Sequence, residues 1–484
     1  MDALLLVLLM PLAASLILGV IGHRNAAGDI NVGFSLITFI ASALLAVEII
    51  AHGPQFAIGK MFFVDPLNVF LITLTAFIGL TTSWFSRPYM RLECHRGRMT
   101  PGRMRLYHSM YQLFMFAMLL ALLTNNMGIL WVALEGATLA TVLLVSVYRT
   151  PSSLEAAWKY FILCGVGIAL ALFGTILLYL AANRQLGATP DALLWTNLRT
   201  VKGLLQPGIM SLALVFLLVG YGTKVGLVPL HSWLPDAHAE GPTPISAVLS
   251  GLLLNVALYA LLRIKVLADG ALHNGMPGKM LIGFGLLSVL VGAYSLSRQK
   301  DVKRMFSYSS IEHFGLMTFA FGLGGPIATY AGLLHMTVHA LVKSAIFFTV
   351  GSACQMAGTQ VMENIRGLVK VSPALGWGML IGSLAILGMP PFGVFASEFL
   401  ILTTTMHKLP WATPILLLSL GVAFATIFSR AQGMAFGTTT VKPLEYAPSL
   451  APVYLHLGLA LLLGLYIPPY LNSWFRQAAS MIAE

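Results

Sequence analysis

Apolar runs of about twenty residues, the length that crosses a bilayer core as a helix, recur along nearly the whole chain. Short polar stretches separate them. The pattern predicts helices near 3–22, 32–51, 66–86, 111–126, 128–148, 158–182, 209–227, 243–268, 279–297, 304–324, 327–356, 373–405, 411–436 and 451–470. The fold class is therefore an all-α polytopic membrane protein with about fourteen transmembrane spans. Two spans are interrupted: the seventh by Gly226, Pro229 and Pro235, the twelfth by Gly388-Met389-Pro390-Pro391-Phe392-Gly393. Proline removes a backbone donor and clashes with the preceding turn. A helix broken at membrane depth must satisfy its freed carbonyls against protein or water, so such breaks line polar cavities.

The two breaks lie five spans apart, with Lys224 before the first and Glu398 after the second. An odd offset reverses direction across the membrane, as an inverted repeat requires. Spans four to eight and nine to thirteen are read as two inverted five-helix repeats. The chain then divides into an N-terminal three-span segment with a basic loop (1–110), two repeat halves (111–270 and 271–440) and a C-terminal span (441–484).

Composition removes the alternatives to a membrane protein. Hydrophobic residues make up 58% of 484 and charged residues 9%, against roughly a quarter charged in a soluble domain. No stretch between the spans is long enough for a soluble domain. The net charge of +11 would raise the question of nucleic acid, but the basic residues gather in particular loops. Arg87, Arg91, Arg96, Arg98, Arg103 and Arg105 follow the third span; Arg298, Lys300, Lys303 and Arg304 follow the ninth. Positive loops mark the cytoplasmic side, which puts both termini outside and makes nucleic acid an unneeded partner. A lipid- or partner-binding role for the arginine loop is the alternative. Cys94, Cys164 and Cys354 form no CxxC pair and support neither a metal site nor a disulfide framework. The N-terminus enters apolar sequence without a basic stretch, so the first span is expected to be retained.

An ionisable side chain at mid-membrane costs roughly 2.5–3.5 kcal/mol on insertion scales and calls for a reason. Glu135 falls within the fifth span, Lys224 just before the first break, His335, His339 and Lys343 in the eleventh span, and Glu398 after the second break. Steps of four residues advance a helix by about 6 Å and slightly more than one turn, so the three groups of the eleventh span form one slowly drifting stripe. Histidine exchanges protons near neutral pH. Burial disfavours a lysine's charge and a neighbouring carboxylate restores it, so moving Glu135 relative to Lys224 would load and unload a proton. Each group has a plainer use: a static Glu135–Lys224 pair, satisfied core histidines, a snorkelling Lys343. Six such groups at mid-helix are harder to explain that way than one pair. No phosphate loop, dinucleotide fingerprint or HExxH pattern is present, so no cofactor or metal is expected.

The run Gly222-Thr223-Lys224-Val225-Gly226-Leu227-Val228-Pro229-Leu230-His231-Ser232-Trp233-Leu234-Pro235-Asp236-Ala237-His238, continuing through Gly241-Pro242-Thr243-Pro244-Ile245-Ser246-Ala247, resembles the signature of antiporter-like membrane subunits. These occur in respiratory complex I, membrane-bound hydrogenases and Mrp-type sodium/proton antiporters. Asp301 to Ser310 and His335 to Lys343 look like further family stretches. The resemblance implies a proton path with Glu135 and Lys224 in a first half-channel, His335, His339 and Lys343 in a central relay, and Glu398 at the exit. His231 and His238, within the matched run, and Asn255 join it. Glutamate at 398 resembles the complex I subunit M type. Ser309-Ser310-Ile311-Glu312-His313-Phe314-Gly315 and Leu154 to Tyr160 look most like hydrogenase-4 component F. Asn255 is a departure, because many complex I members carry lysine there, and asparagine can hydrogen-bond a water but cannot hold a proton charge. The implied protein is a proton-translocating subunit of the bacterial or archaeal cytoplasmic membrane. Its partners would be other membrane subunits and a peripheral redox arm. A cation/proton exchanger and a scaffold with a vestigial path are the alternatives.

Overall fold

The computed structural model describes residues 2–445 and 448–483; Met1, Tyr446, Ala447 and Glu484 lie outside the description. Four helices lead: α1 (Asp2–Ile21), α2 (Ala27–His52), α3 (Pro66–His95) and α4 (Pro101–Leu123). α5 (Met127–Val145), α6 (Pro151–Leu186) and the broken pair α7 (Pro207–Val225) and α8 (Trp233–Glu240) follow. α9 (Thr243–Ala271) contains one π segment, Leu249–Leu253. Then come α10 (Met276–Ser297), α11 (Val302–Leu323), α12 (Gly325–Ala357) and a second broken pair, α13 (Pro373–Ile386) and α14 (Gly393–Lys408). α15 (Ala412–Phe436), α16 (Ala451–Leu465) and α17 (Pro469–Ala483) complete the chain. A two-stranded hairpin, Gln55–Ala57 with Phe62–Val64, joins α2 to α3.

Local chemistry sets the starts of these helices. Asp65, Thr100, Asn126, Thr150 and Asp301 each cap a first turn with a side-chain oxygen, satisfying amides that no earlier carbonyl can reach. Pro66, Pro101 and Pro151 follow three of these caps, where a missing N–H costs nothing.

Among the described residues eleven helices are long and apolar enough to cross a membrane, and the bent α16–α17 pair would be a twelfth. The fourteen-span pattern adds α11, which has the length but carries Lys303, Arg304 and Glu312, and the α13–α14 pair, broken in mid-span. Burial orders the bundle. α9 and α12 are buried along their whole apolar windows, whereas α1, α2, α6, α10 and α15 bury 28–39% of theirs. The two former helices are thus the axis, and the others turn leucine, isoleucine and phenylalanine outward, as lipid-facing helices do.

The repeat is visible in the backbone. Gly226 and Gly388 both take left-handed φ, +79° and +65°, and each is followed three residues later by a proline, Pro229 and Pro391. α6 packs along both α7 and α8, as α12 does along α13 and α14.

The basic loops share one end of the bundle. Arg96 donates to the Gln355 carbonyl at 2.8 Å, and Val302 N to the Gln360 carbonyl at 3.0 Å. α1 runs toward that end, where Gly22 meets Arg105, and α16 runs away from it, because Leu444 and Pro448 just before it lie beside Tyr89 and Gln355. Lys303 departs from expectation. Rather than marking a watery loop, it is buried and donates to the Ala239 and Gly241 carbonyls at 2.8 and 2.6 Å. α17 also went unseen in the sequence: it turns 82° from α16 and lies across the far end. There Trp474 donates to the Pro66 carbonyl at 2.8 Å and Phe475 packs edge-on to Phe70. Its fifteen residues are apolar on one face only, so no continuous apolar run announced it.

Candidate functional site

Lys224 is fully buried in the last turn of α7, two residues before the left-handed Gly226. Its ammonium donates to Thr138 Oγ1 of α5 and stands 5.6 Å from the centre of the Tyr160 ring. Tyr160 is held by Thr141 at 2.7 Å and stacks on Trp233 at 4.5 Å, whose indole N–H donates to the Thr223 carbonyl. The break is thus braced by aromatic packing from α6 and α8. Glu135, one turn before Thr138 on α5, is half-buried and has an unpartnered Oε2. The two charges feel one another but do not close an ion pair; Thr138 stands between them. A closed, desolvated pair would hold the proton in one place. An open one leaves room for exchange.

His231 and His238 lie after the break. The first is half-buried beside Tyr308, ring centres 6.3 Å apart, with Nδ1 unpartnered. His238 is fully buried, stacks on Phe347 at 4.9 Å, has neither ring nitrogen hydrogen-bonded, and has Lys303 and Lys343 as charged neighbours. A cavity of about 520 Å³ at the basic end is lined by Tyr89, Arg98, Thr243, Lys303 and Gln355, among others. It gives water an approach to this region.

Asn255 is buried on α9, two residues beyond the π segment, a rare distortion that is frequent at functional sites. Its amide donates to the Gly251 carbonyl at 2.8 Å and reaches the Met336 carbonyl of α12 at 3.5 Å, leaving Oδ1 unpartnered. The position faces the central stripe without adding a charge.

On α12, His335, His339 and Lys343 are all fully buried. Lys343 donates to the Phe306 carbonyl at 2.9 Å. His339 has both ring nitrogens unpartnered, its ring 6.4 Å from that of His335. His335 is hydrogen-bonded on both sides at 2.9 Å, to Ser397 through Nδ1 and to His313 through Nε2. His313, on α11, also lies 5.4 Å ring to ring from His339 and 3.9 Å from Glu398 Oε1. Glu398 is buried against the second break, where a Cβ at Gly388 would overlap its carboxylate. His456 sets the contrast: equally buried, it has both nitrogens satisfied, by Thr81 at 2.8 Å and the Leu341 carbonyl at 3.0 Å. That is a core histidine, and His339 is not one.

Of the nine residues singled out from sequence, the structure sets Glu135 near Lys224, His238 near Lys343, and His335 and His339 near Glu398 through His313, whereas His231 meets Tyr308 and Asn255 only the Met336 carbonyl of α12. It adds Glu312 and His313, both buried in mid-α11. The signal for them was present, since two ionisable residues inside a predicted span call for the same explanation as the others. Among the described residues His313, His335 and Glu398 alone offer three ligand atoms within 4.8 Å of one another. The His313–His335 hydrogen bond already occupies the facing nitrogens, so proton exchange suits the geometry better than a metal.

A central axis of buried titratable groups, crossed by two inverted helix breaks and ringed by lipid-facing helices, defines an integral membrane protein with a polar path inside it. The chain belongs to the NADH:quinone oxidoreductase/Mrp antiporter transmembrane family, whose pattern matches residues 124–427. It is 46% identical to a hydrogenase-4 component F homolog of Methylacidiphilum infernorum, over 98% of this chain and 99% of that one. Among solved structures it is similar to a subunit of the membrane-bound sulfane sulfur reductase, an archaeal respiratory membrane complex. That likeness covers 100% of this chain and 98% of the other, with a TM-score of 0.90 and 25% identity. It shares its fold with a chain of the Mrp complex from Dietzia sp. DQ12-45-1b, covering 100% and 98%, at a TM-score of 0.86 and 17% identity.

Proposed function

We propose that this chain is the proton-translocating antiporter-like subunit of a multi-subunit respiratory membrane complex of the hydrogenase-4 type. The observation that carries the reading is the state of the buried polar atoms. Glu135, His231, His238, Asn255, His339 and Glu398 each keep at least one without a protein partner. An unsatisfied buried polar atom is expensive unless water reaches it, so the row supports a hydrated path. Along it protons pass between Glu135 and Lys224, across Asn255, through His335, His339 and Lys343, and out by Glu398. Residues 111–270 and 271–440 act as the two half-channels, with 1–110 and 441–484 flanking them.

The chain donates no redox centre to this scheme. Electron transfer belongs to a peripheral arm held through other membrane subunits, and its energy arrives as displacement of the charges beside the two breaks. The basic end faces the cytoplasm and both termini lie outside, because lysine and arginine are retained on the cytoplasmic side.

The test is Lys224→Ala in membrane vesicles carrying the whole complex. The expected result is lost proton pumping with the complex still assembled. Unchanged pumping and electron transfer would refute the path.

A further inference from the structure

Glu312 sits in the middle of α11, 1% exposed, with no hydrogen-bond partner for either carboxylate oxygen. It is a deeper and more isolated acid than Glu135. α10 packs tightly on α11 at this level: a Cβ at Gly292 would stand 2.9 Å from Glu312 N, so the helix backbone cannot shift to give the side chain a new environment. Its charged neighbours are Lys343 on α12 and Glu398 on α14, and His313 is the next residue. Lys343 has one hydrogen-bond acceptor, the Phe306 carbonyl at 2.9 Å, while an ammonium has three donors to place. Glu312 is the carboxylate in its field. A buried carboxylate and a buried ammonium, each under-satisfied and each within the other's field, are stable together or neutral together, but neither is stable charged alone.

The five-span offset adds a second argument. Glu135 lies on α5, the fifth span, and Glu312 on α11, the tenth. Each half therefore places one buried acid on the corresponding helix.

We propose that Glu312 carries a proton in the second half-channel, exchanging it with Lys343 and handing it to the His313–His335–His339 cluster that ends at Glu398. This rests on the proton-path reading above. In the first step the Lys343 ammonium loses one proton through water and the Glu312 carboxylate gains it, leaving a neutral amine and a neutral acid. In the second the acid gives that proton to an imidazole nitrogen of His313 or His339, restoring the carboxylate and leaving an imidazolium. No other reactant is consumed. His313 and His335, already joined at 2.9 Å, pass the charge toward Glu398.

The experiment compares Glu312→Gln, Glu312→Asp and Lys224→Ala in vesicles bearing the assembled complex, with pumping, electron transfer and assembly followed side by side. Infrared difference spectra, with protonated-carboxyl bands read in heavy water, are recorded on the wild type and on each Glu312 variant. Removing a positioned proton carrier slows its transfer step about a hundredfold or more, so Glu312→Gln is expected to abolish pumping, keep assembly and lose a carboxyl band. Glu312→Asp is expected to retain the band, shifted, with slowed pumping. Wild-type pumping in Glu312→Gln together with its loss in Lys224→Ala overturns the proposal and leaves the proton-path reading standing. Wild-type pumping in both overturns that reading itself. If Glu312→Gln fails to assemble, Glu312→Asp decides: wild-type pumping there, with no change in any carboxyl band, makes Glu312 structural.

Discussion

Replacing Gly388 by alanine asks whether the Glu398 carboxylate has to sit where the second helix break admits it. Two effects are expected. At φ +65° an L side chain is strained by about 1–2 kcal/mol, which lowers stability. The added methyl would also overlap the Glu398 carboxylate. To reach ordinary contact the overlapped Oε2 must retreat by about 2 Å, and a carboxylate displaced that far from His313, now 3.9 Å from Oε1, loses attraction to it. At an effective dielectric of about 20, the attraction between a carboxylate and an imidazolium falls from roughly 4.3 kcal/mol at that separation to roughly 2.8 kcal/mol at about 6 Å. The loss of about 1.5 kcal/mol corresponds to roughly tenfold in proton occupancy at His313. Gly358→Ala is the control, because Gly358 has φ +69° and nothing within 4 Å of a would-be Cβ. It carries the backbone strain without touching the carboxylate. The assay is proton uptake per electron transferred in vesicles of the whole complex, alongside its melting temperature. Both variants are expected to melt lower, and only Gly388→Ala to lose pumping. Equal pumping in the two would refute the argument that carboxylate position matters.

Two further substitutions probe the first half and the scaffold. Thr138→Val keeps shape but removes the acceptor of Lys224. An unsatisfied buried donor costs about 1–3 kcal/mol, and more when charged, so slower pumping and a lower melting temperature are expected; wild-type values for both would make the contact incidental. Asp65→Asn should leave the α3 cap intact through Oδ1 but strip Arg263, 4% exposed and 2.6 Å from Asp65 Oδ2, of its counter-charge. Breaking a buried pair costs about 3–5 kcal/mol, so the yield of assembled complex should fall steeply, and an unchanged melting curve would contradict this.

The span pattern, both breaks and the six mid-membrane charges were legible because the bilayer imposes one-dimensional rules. A crossing helix needs about twenty apolar residues, and anything ionisable or helix-breaking within it stands out. Family likeness supplied His231, His238 and Asn255 on top of that. Glu312 and His313 enter the sequence reading only as part of a family-like stretch, without a site role, because the run that holds them is rich in serine and reads as a polar segment rather than as an intrusion. α17 was illegible for a different reason: an amphipathic helix lying across a bundle end has no uniform apolar run, and only its docking on Pro66 and Phe70 reveals it.

What sequence determined by itself is thus the membrane class, the count and breaks of the spans, and which residues are too polar for their depth. Tertiary structure decided how those residues relate. Sequence spacing sets which groups share a helix face but says nothing about distances between helices. It could not tell that Thr138 separates Glu135 from Lys224, that His335 bonds across to His313 on α11, or that Lys303 is buried. Nor could it separate His456, satisfied by α3 and α12, from His339, satisfied by nothing. Hydrogen-bond satisfaction belongs to packed neighbours, and packing is where the chain first brings them together.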